Sequence, residues 1–99
     1  MKLAAPGSEF VAGLQNIERA IIDGVRQAGG TISEKAFSWH RGREFNPPPS
    51  AIELTITGTA RSFSAILSRE QVEDSHDALD RQDVRRCVRD AVDALTYKA

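Results

Sequence analysis

Apolar residues recur at helical spacing over the first third of the chain. Leu14, Ile17, Ile21, Val25 and Ala28 fall on one stripe, Phe10 extends it, and Val11 and Ile22 widen it on one flank. The pattern predicts a helix from Phe10 to Ala28, stopped by Gly29-Gly30, because glycine enters the left-handed conformation at little cost. Gly13, Ala20 and Gly24 line the other flank, where interior glycines imply close packing against a neighbour. The period then changes to two. Residues 51–57, AIELTIT, set Ile52, Leu54 and Ile56 on one side and Glu53, Thr55 and Thr57 on the other, the mark of a strand with one wet face. Gly58-Thr59 marks a turn, and 61–67, RSFSAIL, predicts the next strand with Phe63, Ala65 and Leu67 inward. An earlier strand is predicted over 31–41, TISEKAFSWHR. Its alternation is imperfect, since Ile32 falls opposite Phe37 and Trp39, which a bulge or a late start near Lys35 would reconcile.

The helical period returns after Ser68. Ser68 with Gln71 forms a capping-box pattern, so a helix is expected from there to about Leu79. Asp80 is a candidate cap for a last helix to about Tyr97, with Val84, Val88, Ala91 and Leu95 as its core stripe. One bent helix or two fits 69–97 equally. The order is α-β-β-β-α, and the expected fold is an α+β, two-layer domain. Its three-stranded antiparallel sheet carries the helices on one face and leaves Glu53, Thr55, Thr57, Ser62, Ser64 and Ile66 on the open face.

Length and composition fit one domain without staples: 99 residues, 40% of them hydrophobic. The net charge of −1 gives no global field for nucleic acid or an anionic membrane. A single cysteine, Cys87, excludes an internal disulfide framework and suits a cytoplasmic protein. No apolar run reaches the roughly 18 residues of a membrane span. The first ten residues, MKLAAPGSEF, read like translated restriction sites. A domain over 11–99 is therefore expected, with Val11 fitting a bacterial-type GTG start.

The element order resembles that of the double-stranded RNA-binding domain, as does a proline-rich loop before the second strand. That family holds phosphates with a lysine-rich run at the start of its last helix. Here SREQVEDSHDALD, Ser68 to Asp80, is assigned to that place, with one arginine against Glu70, Glu73, Asp74, Asp77 and Asp80. The resemblance is one of topology.

No motif announces an enzyme. Ser75-His76-Asp77 has the letters of a triad, but helix neighbours point about 100° apart and cannot relay a proton. Cys87 reads as a structural thiol, and neither His40, His76 and Cys87 nor the acidic ladder Asp74, Asp77, Asp80 and Asp83 has metal-ligand spacing. No cofactor and no small-molecule ligand is implied. Two constellations remain. Trp39, His40, Arg41, Arg43 and Phe45, before Pro47-Pro48-Pro49, combine aromatic and cationic side chains as single-strand binders do, or form a stiff connection solvated by its arginines. Arg81, Arg85 and Arg89 gather on one flank of the last helix, with Asp80, Asp83 and Asp90 on the other. They read either as a solvated face laced with salt bridges or as arginines matched to an acidic surface, the nearest being the 70–80 segment of the same chain or a second copy. The sequence thus leads to a non-enzymatic protein-interaction or regulatory module that forms a homodimer or binds another protein. The alternative is a weak nucleic-acid accessory using the 39–45 loop and the last-helix arginines.

Overall fold

A computed structural model describes residues 8–39, 50–58 and 61–96. Helix α1 (Ser8–Gln27) opens the domain, and a single 3₁₀ turn (Glu34–Ala36) leads into strand β1 (Phe37–Trp39). Strands β2 (Ala51–Thr57) and β3 (Ser62–Ser68) follow, then a short helix α2 (Arg69–Glu73) and the last helix α3 (Gln82–Thr96). The strands form one antiparallel sheet in the order β1-β2-β3. The expected α-β-β-β-α order and two-layer α+β architecture are therefore present.

One hydrophobic cluster joins the helices to one sheet face: Phe10, Leu14, Ile17, Ile21 and Val25 from α1, Ile52, Leu54 and Ile56 from β2, Leu67, Val72, Val84 and Ala91. Strand β2 is buried at every second residue because the pleat sends alternate side chains to opposite faces. The predicted stripe of α1 runs one residue too far. Ala28 is exposed in the turn after the helix. There Gly29 takes φ +91°, its N–H bonds to the Arg26 carbonyl at 3.0 Å, and that of Gly30 bonds to Val25 at 2.9 Å. This is a Schellman closure of the helix end. Phe10, within the segment read as a cloning remnant, is fully buried, so α1 and the core draw on it whatever its codons' origin.

The glycines of α1 mark close approaches, as expected. A Cβ at Gly13 would lie 1.8 Å from the Val72 carbonyl oxygen, and one at Gly24 would lie 2.6 Å from a Val92 methyl. Gly13 thus seats α2 against α1, and Gly24 seats α3.

Three local expectations need correction. Over 31–39 only Phe37–Trp39 is strand: the late start holds rather than the bulge, after a 3₁₀ turn that removes the conflict at Ile32, which packs against the core as Ala36 and Phe37 do. Helix α2 stops at Glu73 rather than near Leu79, so 69–96 holds two helices. Asp80 does not cap α3: the helix begins at Gln82, and the Arg81 carbonyl accepts the Arg85 N–H at 3.0 Å. The capping box at Ser68 is present in full. The Ser68 hydroxyl accepts from the Gln71 N–H at 3.2 Å, and the Gln71 side chain accepts from the Ser68 N–H at 2.8 Å.

Candidate interaction surfaces

Residues 40–49, with His40, Arg41, Arg43 and Phe45, lie outside the described residues. Trp39 closes β1, with its Cα opposite Leu54 in the ladder.

The arginines of α3 divide into two uses. Arg81 meets the acidic segment of its own chain at Asp74, 3.0 Å away, and also pairs at 2.9 Å with Asp83 of α3, which was expected on the opposite flank. These hydrogen bonds hold the Asp83 carboxyl well below the usual carboxylate range, aided by a bond from the Gln71 amide at 3.0 Å, and they push the Arg81 guanidinium up. Arg85 donates to the backbone carbonyls of Leu79 at 2.9 Å and Asp80 at 3.1 Å. Arg81 and Arg85 therefore tie the 74–81 connection to α3. Arg85 and Arg89 do come together, lining a shallow depression with Asp80, Gln82 and Arg86. Because α3 starts at Gln82, its first turns hold Asp83, Arg85 and Arg86. They do not hold Ser68–Asp80, the stretch assigned above to the phosphate-gripping position.

The triad letters are structural. Ser75 is fully buried and its hydroxyl donates to the Gln71 carbonyl at 2.9 Å, while His76 Nδ1 sits 2.8 Å from the Glu73 carbonyl. Cys87 packs against the core, and burial, then the nearby Asp90 carboxylate, pushes its thiol pKa up, opposite to what a nucleophile needs. Among the described residues no group of three acidic, histidine or cysteine side chains is placed to hold a metal ion, and no helix is long and apolar enough to cross a membrane.

The open sheet face carries the expected residues. Glu53, Thr57, Ser62, Ser64 and Ile66 are exposed, and Thr55 is half-buried with its hydroxyl 3.4 Å from that of Ser64. Ile66 is 72% exposed, the most accessible large apolar side chain among the described residues.

The edges of the sheet differ. Strand β1 is three residues long; β3 runs for seven, SFSAILS, with no charge, proline or bulge inside it. Natural edges are blunted by short length or charged residues. Strand β3 has neither device. The ladder fixes which groups of β3 face outward. Arg61 accepts from the Gly58 N–H at 2.7 Å and Arg69 donates to the Ser50 carbonyl at 2.9 Å, so odd-numbered positions bond toward β2. By antiparallel alternation the N–H and C=O groups of Ser62, Ser64, Ile66 and Ser68 point away from it. Among the described residues no strand lies on that side. The Ser68 N–H is already held by Gln71.

The sequence reading identified the open face but not this edge. The signal was present: a run of seven residues with strand spacing and no gatekeeper, bracketed by Arg61 and Arg69.

No family model matches the chain, and no curated protein or solved structure matches it.

Proposed function

We propose that this chain is a non-enzymatic interaction module that self-associates by strand addition at β3. The single observation that carries this reading is the unblunted outer edge of β3, where Ser62, Ser64 and Ile66 present outward backbone donors and acceptors beside a 72% exposed isoleucine. Strand addition satisfies backbone groups directly, while side chains on alternate positions set the specificity. A net charge of −1 leaves little repulsion between copies. The test is sedimentation equilibrium of the purified chain. A concentration-dependent dimer is expected, weakened in Ile66→Lys, whose charge blunts the edge. A monomer at high micromolar concentration would overturn the reading.

A second reading draws on the depression formed by Arg85, Arg86 and Arg89 on α3, which offers three cations to a nucleic-acid backbone against one carboxylate, Asp80. Titration with single- and double-stranded oligonucleotides at low salt decides it. Binding that disappears in Arg86→Ala with Arg89→Ala supports this alternative, and no binding removes it.

A further inference from the structure

Building on the edge pairing proposed above, we infer that the occupant of the β3 edge is β3 of a second copy, antiparallel and centred on Ser64. The hydrogen-bonding groups select this register. Two identical strands paired along the same edge about a two-fold axis are antiparallel. Ser62, Ser64 and Ile66 keep outward N–H groups, whereas that of Ser68 is donated to the Gln71 side chain at 2.8 Å.

With Ser64 on the axis, Ser64 faces Ser64 of the partner subunit and Ser62 faces Ile66 of the partner subunit. Every available donor then has an acceptor, and Ser68 is not needed. Centring the pair on Ala65 or Ile66 instead brings Ser68, its N–H already taken, into the bonded ladder opposite Ser62 or Ser64. The Ser64 register also avoids a clash of charge, because Arg61 falls opposite Leu67 of the partner subunit. An Ala65 centre would set Arg61 against Arg69 of the partner subunit, and like charges directly opposite destabilise a sheet.

Side-chain burial points the same way. Phe63 and Ala65 lie on the helix-covered face, yet they are only half-buried, unlike Ile52, Leu54 and Ile56 on the central strand. In the Ser64 register Phe63 sits opposite Ala65 of the partner subunit in a narrow, non-bonded pair, so each copy covers the partly bare inner rim of the other. On the open face the Thr55–Ser64 hydroxyl contact, 3.4 Å, continues across the axis into the same row of the partner subunit.

Cross-linking of the full chain in a Cys87→Ala background tests the register. Ser64→Cys is expected to form a disulfide dimer under mild oxidation, because bonded antiparallel Cα atoms lie about 5.5 Å apart, within disulfide reach. Ser62→Cys and Ile66→Cys should each fail alone, since identical residues would be four positions apart, roughly 13 Å. Mixed together they should cross-link. Ser64→Glu, which sets like charges on the axis, is expected to raise the dimer dissociation constant at least ten-fold with an unchanged circular-dichroism spectrum. Should Ser64→Glu fail to fold, the cross-linking pattern alone decides. A wild-type dimer that cross-links through Ile66→Cys alone, or that never cross-links through Ser64→Cys, overturns the register and leaves self-association standing. A monomeric wild-type chain overturns both.

Discussion

The two faces of the sheet are built from alternate residues of the same strands, yet they have opposite physical characters. On the inner face Ile52, Leu54 and Ile56 are roofed by α1 and α3 and nearly or fully excluded from water. On the outer face Glu53, Thr57, Ser62, Ser64 and Ile66 stand exposed one residue away. A two-residue period therefore separates a buried row from an exposed one along a single strand. The inner face is constrained by packing and tolerates little change. Residues on the outer face make few core contacts, so substitutions there are expected to have little effect on whether the chain folds.

Leu54→Ala is the largest expected break in that contrast. Removing a fully buried side chain from the central strand should cost about 2–5 kcal/mol by chemical denaturation, while Thr57→Ala on the outer face should cost less than about 1 kcal/mol. Equal losses would show that the two faces are not distinct. Gly13→Ala comes next. Its added methyl meets the Val72 carbonyl oxygen at 1.8 Å, so α1 and α2 must separate, a loss of about 1–3 kcal/mol typical of overpacking. An unchanged melting temperature would contradict the close approach.

Ser68→Ala removes the hydroxyl that receives the Gln71 N–H at the junction of edge strand and helix, and about 0.5–2 kcal/mol is expected to go with it. The smallest effect concerns pH. Asp83 has a carboxyl pKa lowered by Arg81 and Gln71, so its ionised form is favoured by folding. That contribution is complete above the ordinary carboxylate pKa, about 4, and fades as pH falls toward the lower folded value. Since the pair is solvent-exposed, the change is modest. Thermal melts from pH 6 to pH 2 should show a steeper decline for the wild type than for Asp83→Asn, and parallel curves would remove the assignment.

Most of the fold could be read from spacing, because spacing is a local property. The five inward residues of α1 from Phe10 to Val25 and the alternation of β2 gave the buried positions, and Ser68 with Gln71 gave the helix start. Phe37 and Trp39 announce strand β1, but the sequence leaves its start open between a bulge and a late start near Lys35, because the 3₁₀ turn at Glu34–Ala36 interrupts the alternation. Of the candidate surface, the open face was legible; β3 showed its lack of charge and proline, but not that among the described residues it stands at the edge of the sheet. Whether a strand lies beside another depends on chain order in space, which no periodicity records.

The sequence by itself determined the helical stripe of α1, the two-sided character of β2 and β3, the α-β-β-β-α order and the near-neutral charge. Each follows from residue type and interval along the chain. Only the tertiary structure decided that 69–96 is two helices. The Asn16 amide of α1 donates to the carbonyls of Ser75 at 2.8 Å and His76 at 2.9 Å, acceptors that a continuous helix would have kept for its own N–H groups. The same holds for the arginines. Their flank was visible in the sequence, but Arg81 is committed to Asp74 and Asp83 because the turn after α2 folds back onto the start of α3. The Asn16 contacts join residues 59 and 60 positions apart, and even the short-range Arg81 pairs depend on a chain direction that only the folded state sets.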